Sequence, residues 1–94
     1  MIDSAIRDRR LLSFTYDGHF RVVIPAAHGT HISTGNEVLR AYQIRGTSSS
    51  RIPPLWDLFR VEKIVNLEVL DETFVDDPLG YARGDKHIQI VSQL

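Results

Sequence analysis

Two stretches of alternating apolar and polar residues, 38–46 and 55–64, constrain the fold of this chain more than any other feature. An alternation with a period of two is typical of β-strands, because successive side chains of a strand point to opposite faces of a sheet. The stretches are joined by a serine-rich connection at residues 47–54. We therefore predict that they form paired strands at the centre of a small antiparallel sheet.

The alternation divides each stretch into two faces. Leu39 and Ala41 share one face of the first stretch, and Phe59 and Val61 share one face of the second. If these apolar side chains line the core, the opposite surface carries cationic and aromatic side chains. Its members are Arg40, Tyr42, Trp56 and Arg60. This combination predicts a ligand-binding face.

Residues 12–24 carry the clearest hairpin pattern in the sequence. Apolar and polar residues alternate on both sides of Asp17-Gly18, which is a strong signal for a two-residue hairpin turn. On the second strand, Phe20 and Val22 are expected to face the core. Arg21 is then expected on the opposite side, with the other cations of the binding face.

The segments that flank this hairpin have weaker patterns. Asp3 or Ser4 can cap a short helix that extends to about Arg10. Pro25 is expected to end the second hairpin strand or to place it at an edge, because proline has no N–H for a strand ladder. Residues 26–36 are expected to form a loop or an irregular hairpin.

The C-terminal third is expected to begin with one more strand, at residues 65–74. Residues 75–94 are interpreted as an irregular crossing that ends in a short helix from about Asp85, although residues 87–91 (HIQIV) also suit a terminal strand. The predicted fold is therefore mainly β: a small, strongly bent antiparallel barrel of about five strands, with an N-terminal helix and a short C-terminal helix or tail.

Composition limits the class of protein. The chain has 94 residues, and we assign residues 1–94 to a single domain. No apolar run approaches the ~20 residues that span a bilayer, and the residues after Met1 lack the apolar region of a signal peptide, so we expect a cytosolic protein without a membrane partner. The absence of cysteine excludes disulfides and thiol chemistry.

The charge distribution favours an anionic ligand. The formal net charge is −1, yet residues 1–63 carry nine Lys and Arg against six Asp and Glu. The cations that the predicted strands bring together are Arg21, Arg40, Arg45, Arg60 and Lys63. Guanidinium groups suit phosphate or carboxylate, and Tyr42 and Trp56 offer rings for base stacking. His28 is expected at the rim of this face as a further donor.

A net charge near zero does not suit a protein that tracks long nucleic acid without specificity. The predicted ligand is therefore a nucleotide-like anion or a short single strand of nucleic acid. Two alternatives stay open. The aromatic residues can be partly buried packing residues, with Arg40 paired to Glu37 or Glu62. The domain can also form a homodimer or recruit a regulatory protein. This last alternative is favoured if certain residues are exposed, namely Leu55, Trp56 and Leu58.

Catalytic and metal sites are not expected. His28 and His31 lack the helical spacing of a zinc protease motif. Asp17, His19 and the serines at 48–50 supply the residue types of a Ser/His/Asp set, but such residues are also the ordinary residues of turns. We expect no enzyme activity, no bound metal and no cofactor.

The order of these elements resembles the WYL domain family, particularly its short stand-alone bacterial members. The resemblance covers about residues 4–74, and residues 75–94 resemble the tail of the stand-alone forms. Its most specific parts are Tyr16, residues 21–25 (RVVIP), residues 39–43 (LRAYQ) and residues 59–64 (FRVEKI). The triplet that gives the family its name falls on Glu37-Val38-Leu39, where only the leucine agrees.

The resemblance implies a fold and a function. The implied fold is a small SH3/Sm-like barrel. The implied function is the binding of nucleic acid or a nucleotide-like ligand by a sensor or regulatory module, in bacterial transcription regulation or phage defence. Both are expectations at this point.

Overall fold

A computed structural model of the chain describes residues 1–49 and 51–94 and contains one short helix and six strands. The elements are α1 (Ile2–Asp8), β1 (Arg10–Tyr16), β2 (His19–His31), β3 (Glu37–Gly46), β4 (Leu55–Arg60), β5 (Val65–Thr73) and β6 (Ile88–Gln93). A 3-10 turn, Val61–Lys63, follows β4. The strands form one antiparallel sheet in the order β4-β3-β2-β1-β5, and β6 pairs with β2. The prediction of a mainly β protein is confirmed.

The predicted hairpin is confirmed as β1 and β2. Asp17 and Gly18 both have positive φ, 51° and 77°, as the two central residues of a type I′ hairpin turn require. The register pairs Phe14 with Arg21. Because paired residues lie on the same side of a sheet, this register already places Arg21 on the side of Phe14, which is 1% exposed in the core.

Pro25 does not end its strand, because β2 continues without interruption to His31. Of the two alternatives predicted for residues 26–36, the loop is wrong and the irregular hairpin is confirmed, since β2 and β3 pair as far as Thr30 and Glu37 with register shifts on the way. Pro25 lies inside the strand, next to a register shift between Pro25 and Ala27. One edge of β2 pairs with β1 as far as Val23 and with β6 from Ala27 onward. Pro25, which has no N–H to donate, therefore lies between the residues that pair with β1 and those that pair with β6. The register shift beside it allows β2 to bend.

The predicted C-terminal helix is also wrong, because this segment forms β6. Its β-branched isoleucines suit a strand, and Ile88 is buried in a small second core with Ala27 and Val38. Gly29 of β2 permits the pairing. A Cβ at this position would overlap the carbonyl oxygen of Gln89 and would lie 2.7 Å from Cγ2 of Ile88.

The main core lies between α1 and one side of the sheet. The helix contributes Ile2, Ala5 and Ile6, as the predicted N-terminal helix requires, and it ends where Arg9 adopts φ 52°. The strands contribute the largest buried side chains. These include Leu12, Phe14, Val23, Leu39 and Phe59.

The sheet is not closed, so a barrel is not confirmed. In the described part of the chain, the two end strands of the sheet, β4 and β5, are not paired with each other. Within these residues, no helix has the length and apolarity that crossing a membrane requires.

The close approach of β6 to Gly29 generates a stability prediction. Gly29→Ala is expected to lower the free energy of unfolding by about 1–3 kcal/mol, because the added methyl group overlaps backbone atoms of Gln89. These atoms can move away only if the pairing of β6 with β2 is distorted. Val91→Ala on β6 is the control. Its side chain is largely exposed, and the expected change is within ~0.5 kcal/mol. Urea denaturation measures both, and equal effects would contradict the role assigned to Gly29.

Candidate functional site

The register of β3 and β4 collects the cationic and aromatic side chains on one side of the sheet. Tyr42 pairs with Trp56, and Arg40 pairs with Leu58. The alternate residues Leu39 and Phe59 are fully buried on the other side. We call the first side the outer face; its residues are Arg40, Tyr42, Trp56, Leu58 and Arg60. The predicted division of these two strands into faces therefore agrees with the observed register.

Three aromatic rings follow one another across the outer face. The centroids of Tyr42 and Trp56 are 5.2 Å apart, with the rings tilted by 55°. The centroids of Trp56 and Tyr81 are 6.4 Å apart, and these rings are nearly parallel, at 27°. All three side chains are half-buried. The hydroxyl of Tyr81 donates to the carbonyl of Leu94 at 2.9 Å, which connects the row to the end of β6.

A cleft of about 410 Å³ lies beside this row, between the outer face and the segment that leads into β6. Ala27, Arg40 and Trp56 form the sheet side of the cleft. The opposite side consists of Gly80, Tyr81, Ala82, Gly84, Asp85, Lys86 and His87. Small-molecule sites usually enclose about 300–1,000 Å³, so the volume suits a ligand of that class.

Arg40 is held in the cleft by an ion pair that the sequence does not predict. Its Nε donates to Oδ2 of Asp85 at 2.7 Å, and the two side chains are 26% and 14% exposed. Neither Glu37 nor Glu62, the partners considered from the sequence, takes this position. Asp85 lies 45 residues away in the chain, and only the folding of residues 75–87 over the outer face brings it there.

The environment of Asp85 keeps its carboxylate ionised. Burial acts to raise the pKa of this carboxyl, but the hydrogen bonds from the Arg40 side chain and the His87 backbone N–H, with the positive charges beside it, lower the pKa overall. The backbone N–H of His87 donates to Oδ1 at 3.0 Å. Asp85 was predicted to cap a helix; it instead stabilises a turn before β6.

Arg21 does not belong to the outer face, and its predicted position is wrong. The residue is only 2% exposed and lies on the core side of the sheet. Its Nη1 donates to Oε1 of Gln43 at 3.2 Å, and its Nη2 donates to the carbonyl of Tyr16 at 3.1 Å. The guanidinium carbon also lies 5.4 Å from the centroids of the Tyr16 and Phe59 rings. Arg21 is therefore a packing residue that connects β1, β2, β3 and β4.

His28 is also displaced from its expected place at the rim of the binding face. It is 9% exposed and lies beside α1. Its Nδ1 is 2.6 Å from Oδ1 of Asp3, and its Nε2 is 2.6 Å from Oε2 of Glu37. Ionised carboxylates only accept, so both contacts are satisfied when each ring nitrogen carries a proton. A hydrogen bond from Ser92 lowers the pKa of Asp3 against the opposing effect of burial, and the bond to His28 lowers it further.

The remaining cations predicted for the site are dispersed. Arg45 is near the other end of β3 and pairs with Glu72 at 2.7 Å. Arg60 pairs with Glu62, two residues further on. Lys63 is exposed in the 3-10 turn. None of the three lines the cleft. Of the eight residues predicted for the site, the cleft brings together Arg40 and Trp56, and Tyr42 adjoins Trp56.

The residues considered for catalysis or metal binding are also separated. His31 stacks on His87, with centroids 6.3 Å apart, and does not face His28. His19 Nδ1 lies 2.8 Å from Oγ1 of Thr47. Ser50 is outside the described residues. Among the residues that are described, no group of three or more His, Cys, Asp or Glu side chains is arranged to hold a metal ion.

Sequence reasoning missed Tyr81, Asp85 and Lys86 as residues of the cleft. They lie in a stretch without helical or strand periodicity, so no pattern in the sequence indicates their position. In comparisons with known proteins, no family model, no curated protein and no solved structure matches the chain. The resemblance to the WYL domain remains a prediction from the residues quoted above.

The burial of Arg21 predicts that it stabilises the fold, whereas Arg45, an arginine at the surface of β3, is not expected to do so. Arg21→Ala is expected to lower the free energy of unfolding by about 2–4 kcal/mol, because it leaves a cavity and an unpaired Gln43 oxygen in the core. Arg45→Ala, at a half-exposed surface pair, is expected to change it by no more than ~0.5 kcal/mol. Denaturant titration of both variants tests this, and similar losses would place Arg21 at the surface.

The lowered pKa of Asp85 predicts a pH effect. A carboxyl whose pKa is lower in the folded than in the unfolded protein stabilises the fold above its unfolded pKa of ~3.9, and this contribution is lost as the pH falls through the folded pKa. The parent should therefore lose its stability advantage over Asp85→Asn as the pH falls below about 4. Asp76→Asn serves as the control for general charge removal. A difference between parent and Asp85→Asn that does not change with pH would refute the assignment.

Proposed function

We propose that the protein is a non-enzymatic ligand-binding module whose cleft takes a small molecule with an anionic group and a flat ring system, as in a nucleotide. The observation that carries the proposal is the meeting of the Trp56 indole with Arg40 and Lys86 at one cleft. Stacking on aromatic side chains contributes about 1–3 kcal/mol per base, and charged hydrogen bonds recognise phosphate.

The distribution of charge favours a small ligand over a long nucleic acid. Affinity for duplex depends on many phosphate contacts over a wide basic surface. Here the arginines expected to supply such a surface are paired with carboxylates or buried. They are Arg21, Arg40, Arg45 and Arg60. The size of the cleft accommodates a mononucleotide or the end of a short single strand.

We propose in addition that the bent sheet corresponds to the SH3/Sm-like barrel implied by the WYL resemblance. The support is β2, which pairs with β3 on one edge and with β1 and then β6 on the other. A role as a sensor in bacterial transcription regulation or phage defence rests on that resemblance alone.

The alternative of a protein-interaction or dimerisation module receives less support. It was favoured by exposure of three apolar residues of β4. Leu55 is buried, at 7% exposed, and Trp56 and Leu58 are half-buried against the chain itself. The exposure of β4 that would favour this alternative is therefore only partial.

The two lysines of the chain provide a matched test of the cleft. Lys86 lines it, whereas Lys63 is exposed but does not. Lys86→Ala is expected to weaken binding of a labelled nucleotide by about 1–2 kcal/mol and to lower the salt slope of the affinity by roughly one unit. Lys63→Ala is expected to bind like the parent. Trp56→Leu should weaken binding without changing the salt slope, because stacking releases no counterion.

The measurement is fluorescence anisotropy with labelled AMP, GMP, short single-stranded DNA and RNA, and duplex DNA, at a low and a physiological salt concentration. Binding of the mononucleotides or single strands in preference to duplex is the expected result. No binding to any of these probes would overturn the proposal. Equal losses from the two lysine variants would locate the ligand away from the cleft.

A further inference from the structure

Residues 78–87, here called the cover segment, cross the outer face and close one side of the cleft. The indole Nε1 of Trp56 donates to the carbonyl of Leu79 at 2.8 Å. Arg40 donates to Asp85 at 2.7 Å, and the ring of Tyr81 stacks beside Trp56. The cover segment therefore engages both residues of the sheet on which the proposed ligand depends.

The chemistry of these contacts matches that of the proposed ligand. Asp85 presents a carboxylate to a guanidinium, as the anionic group of a ligand would. Tyr81 presents a flat ring to an indole, as a base would. The Asp85 contact uses Nε of Arg40, whereas a phosphate can accept from two donors of one guanidinium at once. A phosphorylated ligand can thus form the stronger contact at the same place.

The cover segment is attached in a way that allows a ligand to displace it from the outer face. Across the described residues between Thr73 and Ile88, no helix or strand is present. Gly80 and Gly84 have positive φ, 84° and 78°, and a Cβ on Gly80 would lie 3.2 Å from Nε1 of Trp56. The strand pairing of β6 with β2 starts only at Ile88. Before that point the segment is held by single hydrogen bonds: Tyr81 and Arg83 donate to the carbonyl of Leu94, the Gly84 N–H donates to Gln93, and the Ile32 N–H donates to the carbonyl of His87.

We propose that the cover segment is an internal competitor, in which Asp85 and Tyr81 occupy the places of the ligand's anionic group and ring and must be displaced for binding. This proposal rests on the proposed function, since it concerns the regulation of the same cleft. The apparent affinity is then the intrinsic affinity multiplied by the fraction of molecules in which Asp85 and Tyr81 have left these places. Any change that weakens the hold of Asp85 on Arg40 strengthens ligand binding.

The test compares Asp85→Asn with Asp76→Asn. Asparagine at position 85 keeps the acceptor for the His87 backbone N–H and removes only the negative charge that holds Arg40. Asp76 lies outside the cleft lining and controls for the loss of one charge. Binding of methylanthraniloyl-AMP and methylanthraniloyl-GMP is measured by energy transfer from Trp56, the only tryptophan of the chain. Asp85→Asn is expected to bind about tenfold more tightly than the parent, and Asp76→Asn to bind like the parent.

A second measurement uses the unaltered protein. On saturation with the same nucleotides, amide hydrogen exchange of residues 79–85 should become faster, while that of β6 stays unchanged. Slower hydrogen exchange in the cover segment would contradict the proposal of an internal competitor. The same holds if the parent binds nucleotide and Asp85→Asn binds it more weakly. In both cases the proposed function still stands. Absence of nucleotide binding by the parent and by both variants overturns the proposed function and the competitor together.

Discussion

The pairing of one long strand on both of its edges is the constraint on which the rest of this structure depends. Of the thirteen residues of β2, those from Arg21 to Thr30 pair with β3 along one edge, while the other edge pairs first with β1 and then with β6. The two register shifts in its pairing with β3 turn the strand between these partners. Gly29 then admits β6 at a distance that no side chain would permit. Because β6 is fixed there, the segment before it has to cross the outer face, and the cleft exists as a result.

Each side of the sheet carries an arginine, but the two arginines lie in different environments. Arg21 is buried, where a guanidinium loses its hydration, and the groups that compensate for this loss are two carbonyl-type acceptors, two aromatic rings and the carboxylate of Asp57, whose Oδ2 lies 3.8 Å from Nη1. Arg40 remains at the edge of solvent, where a single carboxylate holds it. The contacts of Arg21 connect the strands of the core and leave no room for a ligand. The position of Arg40 leaves a cation and an indole accessible from a cleft, which is the basis of the proposed function.

The acidic residues of the C-terminal third explain why the basic N-terminal part does not form a continuous cationic surface. Asp77 pairs with Arg9, Glu72 pairs with Arg45, and Asp85 pairs with Arg40. The asymmetry of charge along the sequence is thus cancelled within the folded molecule. At the proposed site, the carboxylate that pairs with Arg40 comes from the cover segment rather than from a strand.

The sequence by itself determined the hairpin, the helix at the N-terminal end, the strands β3, β4 and β5, and the division of β3 and β4 into two faces, because these features depend on local turn chemistry and on alternation. It did not determine which set of β2 side chains points inward. Arg21 and Phe20 alternate as predicted, but the pairing of Arg21 with Phe14 turns the arginine toward the core and leaves Phe20 57% exposed. Nor did it locate the partner of Arg40 or the ring beside Trp56. Asp85 and Tyr81 reach the outer face only because β6 pairs with a distant strand, and a contact between residues 45 positions apart leaves no periodic trace in a sequence.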